Sequence, residues 1–143
     1  MKKAVIVGGS GFIGSHVADH LTKAGYHVVV YDKTPSQWLG PEQEMVIGDV
    51  QDNDKLNQSI IGTDVVYNFA ALADLNQARE APIKTIKINI LGNLNVMEAC
   101  HAHGVKRFIY ASTVYVNSRE GGFYGCSKRA SEGYIEEYQR IYG

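Results

Sequence analysis

The chain has 143 residues, 45% of them hydrophobic and 20% charged, with a formal net charge of -1. That balance fits one globular domain with a substantial core. No run of Lys or Arg makes a phosphate-tracking stripe, and no segment reaches the apolar length of a membrane span or of a secretory signal. A nucleic-acid partner and a membrane partner are therefore not expected. Cys100 and Cys126 lack metal-ligand spacing and read as reduced thiols of a cytoplasmic protein. The histidines have no carboxylate or thiol cluster around them, so no metal site is expected.

In chain order, Ala4–Val7 reads as a buried strand ended by Gly8-Gly9-Ser10-Gly11. Ile13, Val17 and Leu21 then recur at helical spacing from Phe12 to about Ala24, and Gly25 closes that helix. His27–Tyr31 is a second, β-branched run, and Met45–Ile47 a third and weaker one. A short helix from Gln51 to Ile61 stops at Gly62 and is followed by a fourth strand, Asp64–Phe69. Pro82 suits the first turn of a long helix to about His103, with Ile86, Ile90, Leu94 and Met97 as its apolar face. Arg107–Tyr110 is a fifth strand, and a last helix runs from about Tyr124, with Ile135, Tyr138 and Tyr142 as mostly core positions.

Strands continuous in Val and Ile, each followed by a helix, indicate a parallel sheet covered on both faces. With right-handed crossovers the result is an α/β doubly wound, Rossmann-type sheet. The order 3-2-1-4-5 places the first loop at the switch point where such sheets bind ligands.

Gly9-Ser10-Gly11-Phe12-Ile13-Gly14 fits G-x-G-x-x-G, and Gly8 adds a G-x-x-G-x-x-G reading. The string alone is weak evidence, but here a strand precedes it and a helix follows. One glycine makes the tight turn. Gly11 lets backbone N–H groups approach a pyrophosphate, and Gly14 lets the helix pack close to the strand. Asp32 ends the second strand about 20 residues downstream, where a carboxylate accepts ribose hydroxyls and repels a 2′-phosphate. That favours NAD over NADP, with adjacent Lys33 acting in the other direction.

Tyr124-Gly125-Cys126-Ser127-Lys128 is Y-x-x-x-K, with both side chains on one helical face. An ammonium beside a phenol favours the phenolate, so Lys128 is expected to lower the Tyr124 pKa. Ser112 and Thr113, after the fifth strand, emerge on the same sheet edge as the glycine turn. A hydroxyl, a phenol and an ammonium can thus converge near a hydride acceptor.

Taken together these features resemble an extended short-chain dehydrogenase/reductase of the NAD-dependent epimerase/dehydratase family, which acts on sugar nucleotides. The resemblance covers essentially the whole chain. It rests on Gly8–Gly14, Asp32, Gly48-Asp49-Val50, Asn68–Ala71, Asn89–Asn95, Ala111–Tyr115 and Tyr124–Lys128. It implies that Gly8, Gly11, Phe12, Ile13, Gly14, Asp32 and Lys33 bind NAD, that Asp49 and Val50 flank the adenine, and that Phe69, Ala70 and Ala71 line the cofactor. It implies Thr113 as the hydroxyl partner of Tyr124 and Lys128, with Ser112 as the alternative, and a structural role for Asn89. The chemistry implied is redox at a carbon of a nucleotide sugar, with Tyr124 moving the proton and NAD the hydride.

Two departures accompany it. The segment from Val114 to Phe123 is shorter than in family members. The chain also stops after the Tyr-Lys helix, where they continue with a sixth strand and a substrate-gripping domain. Residues 1–143 are therefore expected to be the NAD-binding Rossmann part of a longer enzyme, with little turnover alone. An isologous homodimer through the 82–103 and 124–142 helices is a further expectation from the resemblance.

Overall fold

A computed structural model describes all of residues 1–143. Five strands, β1 (Lys3–Val7), β2 (His27–Asp32), β3 (Gln43–Ile47), β4 (Val65–Asn68) and β5 (Arg107–Tyr110), form one sheet in the order β3-β2-β1-β4-β5. Every neighbouring pair is parallel, with Val5 opposite both Val29 and Val66. This is the predicted order, and β1 lies in the middle because it is apolar at every inner position.

Alternation along the strands divides the core in two. Val5, Val7, Val29, Tyr31 and Val66 point to one face, where Leu56 and Ile60 of α2 (Asn53–Ile60) and Val96, Ala99 and Cys100 of α5 (Gly92–Ala102) cover them. Ile6, Val28 and Val30 point to the other, against Ala18, Val17 and Leu21 of α1 (Phe12–Lys23).

Three elements differ from expectation. A short helix, α3 (Leu75–Glu80), follows β4; Asp74 caps it by accepting from the Gln77 N–H at 2.8 Å. The long helix expected over 82–103 is broken into α4 (Pro82–Thr85), a π-type segment over Ile86–Leu91, and α5. The wider π turn brings Asn89 inward, where it bonds to Leu72 and to Ser127 and Ser131 of the last helix. Ile86 accordingly is exposed instead of core, as is Tyr142 near the end of α6 (Gly122–Tyr142). A single turn of 3-10 helix, Val114–Asn117, occupies part of the short segment before α6. No helix is long and apolar enough to cross a membrane.

Candidate functional site

Four strand ends meet at one edge of the sheet, and a cavity of about 300 Å³ opens there. Nine of the twelve residues predicted for the cofactor line it: Gly8, Gly11, Asp32, Lys33, Asp49, Val50, Phe69, Ala70 and Ala71. Phe12, Ile13 and Gly14 do not. Their places in the first turn of α1 leave backbone N–H groups without an intrahelical partner, while the Phe12 and Ile13 side chains are 80% and 58% exposed.

The glycines have distinct steric causes. Gly8 has φ +77°, and a Cβ there would stand 2.5 Å from the Ala70 nitrogen, so the turn and the segment after β4 touch backbone to backbone. A Cβ on Gly14 would lie 2.6 Å from the Gly8 carbonyl, which matches the close helix–strand packing expected of it. Gly11 has only the Gly8 carbonyl nearby, at 3.5 Å, and leaves the floor of the cavity open. The α1 N-terminus carries no side-chain cap and no acid in its first turn, so its partial positive charge is unopposed.

At the β2 end, the Asp32 carboxylate accepts from the backbone N–H of Ser10 at 3.1 Å and of Thr34 at 3.0 Å. These bonds fix it while leaving lone pairs free for hydroxyl donors. Tyr31, fully buried, donates to the Asp49 carbonyl at 2.8 Å. Burial, with Asp52 and Asp49 nearby, pushes its pKa up to about 12. A Cβ on Gly48 would strike the Tyr31 hydroxyl at 2.4 Å, so this contact requires a glycine there. The arrangement suits an elongated ligand with an anionic centre and a hydroxylated end beside Asp32.

The second half of the site lies where β5 meets α6. The Lys128 side chain is 2% exposed; its ammonium donates to the Ala111 carbonyl at 2.8 Å and sits 4.5 Å from the centre of the Tyr110 ring. Burial lowers its pKa to about 8. The expected lowering of the Tyr124 pKa by Lys128 is not found. Burial raises it, and a side-chain hydrogen bond with Thr113 offsets part of the rise. Lys128 is aimed at a backbone carbonyl instead of the phenol oxygen, 5.8 Å from the Tyr124 ring centre. Of the two candidate hydroxyls the structure brings Thr113 to Tyr124, while Ser112 donates to the Glu132 carboxylate.

Asn89 joins the two halves, in the structural role expected of it. It accepts from the Leu72 N–H at 2.7 Å and donates to the Leu72 carbonyl at 3.1 Å and to the Ser127 hydroxyl at 2.9 Å. Ser127 in turn donates to the Tyr124 carbonyl at 2.7 Å. Asn68 does similar work at the end of β4, donating to Asn93 and accepting from Ala70 N–H.

Leu72, Ala73, Gln77, Lys84 and Ile88 also line the cavity and were not predicted. The Asp74 cap was a legible signal for α3, which carries Gln77; nothing local marks Lys84. No group of three His, Cys, Asp or Glu side chains is placed to hold a metal ion.

A doubly wound sheet with a glycine turn and an acid at its switch point defines a dinucleotide-binding class of protein. The comparisons carry this further. The family model described as NAD dependent epimerase/dehydratase family matches residues 4–143. A UDP-glucose 4-epimerase of Rhizobium leguminosarum is 31% identical over 76% of this chain and 35% of its own length. A 3-beta-hydroxysteroid dehydrogenase of Mycolicibacterium neoaurum is 28% identical over 78% of this chain and 32% of its own. The crystal structure of a UDP-glucose 4-epimerase from Brucella ovis in complex with NAD superposes with a TM-score of 0.90 at 31% identity, covering 100% of this chain and 49% of that one. The chain belongs to the NAD dependent epimerase/dehydratase family, a family of enzymes. It spans at most about half the length of the curated relatives it matches.

Proposed function

We propose that this chain binds NAD in the cavity at the strand ends and supplies the proton-transfer residues of a nucleotide-sugar epimerase or dehydratase. The observation that carries the reading is the cavity itself, which nine predicted cofactor residues from four strand ends line together. The residues fit the group. Gly11 leaves room for a diphosphate beside the α1 N-terminus, and Asp32 is held ready to accept ribose hydroxyls. NAD, when bound, accepts and returns a hydride.

The chain's own residues handle the proton. Tyr124 takes it from the sugar hydroxyl, and Thr113 hydrogen-bonds the reacting oxygen. Lys128, fixed by the Ala111 carbonyl, supplies positive charge near the phenol and a donor for the cofactor ribose. Burial raises the Tyr124 pKa, and the Thr113 hydrogen bond offsets part of that rise. Lys128 loses its proton as pH rises through about 8, and with it the positive charge at this end of the site.

Calorimetric titration with NAD and NADP tests the binding claim. NAD is expected to bind more tightly, and equal affinities would remove the role assigned to Asp32. A second reading, a dehydrogenase of a non-sugar alcohol, draws support from the hydroxysteroid dehydrogenase relative. Titrating the NAD-loaded chain with UDP-glucose and with a 3β-hydroxysteroid separates the two. In either reading, residues 1–143 act as a NAD-binding domain. Exposed Ile83, Ile86, Leu91, Tyr134 and Ile141, on the 82–103 stretch and α6, supply apolar surface for an isologous dimer. Sedimentation equilibrium over a concentration series reads that dimer directly.

A further inference from the structure

Four charged side chains line the cavity, and the structure uses them unevenly. Asp32 already accepts from two backbone amides, and Asp49 accepts from the Gln51 N–H at 2.9 Å. Lys33 directly follows Asp32 and stands at that same acidic end. Lys84 reaches the cavity from another wall, on α4, and its ammonium has neither an ion-pair nor a hydrogen-bond partner within the chain.

The frame around Lys84 indicates which part of the cavity it serves. Gly8 is in backbone contact with Ala70, so the 70–73 segment lies against the glycine turn. Asn89 grips that segment by both the N–H and the carbonyl of Leu72. Lys84 and Ile88 are four residues apart on the stretch that carries Asn89, and both line the cavity. Lys84 and Gly11 thus line one cavity, Lys84 from the stretch whose Asn89 holds the 70–73 segment. A helix N-terminus offers about half a positive charge, whereas a dinucleotide's diphosphate carries about two negative ones. A full cation opposite the turn would make up the difference.

We propose that Lys84 is the side chain that meets the diphosphate of the dinucleotide, closing from α4 the anion site that the glycine turn opens from β1. The proposal rests on NAD occupying this cavity. It assigns a charged contact to a residue 70 positions beyond Gly14, outside the glycine motif.

The test is calorimetric titration of the 143-residue chain with NAD and with ADP, at low salt and at moderate salt. Wild type is compared with Lys84→Gln, Lys84→Arg and Lys87→Gln; Lys87 is an exposed lysine that does not line the cavity. Lys84→Gln is expected to weaken both ligands about tenfold and to flatten the salt dependence. Lys84→Arg should restore most of the affinity, and Lys87→Gln should leave it unchanged. Wild-type affinity in Lys84→Gln, or an equal loss in Lys87→Gln, overturns the proposal. A folded wild-type chain that binds neither ligand overturns the cofactor reading on which it depends.

Discussion

The two ends of the site are built in opposite ways. At the glycine turn the wall is backbone, Gly8 against Ala70 and Gly14 against Gly8, and beside it Gly48 is pressed against the Tyr31 ring. At the β5–α6 end it is polar side chains: buried Lys128 on the Ala111 carbonyl, buried Asn89 linking Leu72 to Ser127, and half-buried Thr113 at Tyr124. The first end fails when an atom is added. The second fails when a partner is taken away, because a buried polar group left alone bears its full desolvation cost. Shape is thus fixed at one end by sterics and at the other by hydrogen bonding.

The largest expected effect is at the steric end. Gly8→Ala combines a positive φ with a Cβ 2.5 Å from backbone nitrogen and should destabilise the chain by about 3 kcal/mol, with loss of NAD binding. Gly62→Ala, at φ +69° with open space around it, should cost only about 1 kcal/mol. Urea denaturation of the pair checks this, and equal losses would remove the steric distinction.

At the polar end, Asn89→Ala leaves both backbone groups of Leu72 without their partner and removes one of the two bonds of the Ser127 hydroxyl. It should cost about 2 kcal/mol and loosen the 70–73 segment, seen as faster amide exchange at Leu72. Asp32→Ala adds no atom to the steric wall but releases the Ser10 and Thr34 amides. It should weaken NAD roughly tenfold, as expected for loss of charged hydrogen bonds, narrow the gap to NADP, and cost about 1 kcal/mol of stability through the two freed amides.

A further effect is in pH dependence. The folded-state pKa of Lys128, about 8, lies below its ordinary value of 10.5, so between these values the unfolded chain holds the extra proton. Stability from this group therefore rises with pH across that window and is at its lowest below it. Lys128→Met should abolish that rise in stability measured from pH 7 to 10; unchanged slopes would mean that Lys128 is not buried as described.

This contrast also explains how much could be read from the residues alone. The strands and the glycine turn follow from short-range periodicity and local sterics, which a sequence displays openly, and the sheet order follows from placing that turn at the switch point. Asp32 was legible because it closes a β-branched strand at a fixed distance from the turn. The direction of the Tyr124 shift was not legible. Y-x-x-x-K spacing puts Lys128 beside the phenol, yet burial and the Ala111 carbonyl, contributed by another element, decide where the ammonium points. The broken 82–103 helix escaped for the same reason: its π turn serves contacts to Leu72, Ser127 and Ser131 that lie far away in sequence.

The central claim is that the strand-end cavity holds NAD, and amide chemical-shift mapping during an NAD titration tests it most directly. The account predicts a saturable set of shifts at Gly8–Gly14, Asp32–Lys33, Asp49–Val50 and Phe69–Ala73, with little change at Gly104–Arg107 on the far edge of the sheet. Shifts centred elsewhere, or none with the chain folded, would contradict it.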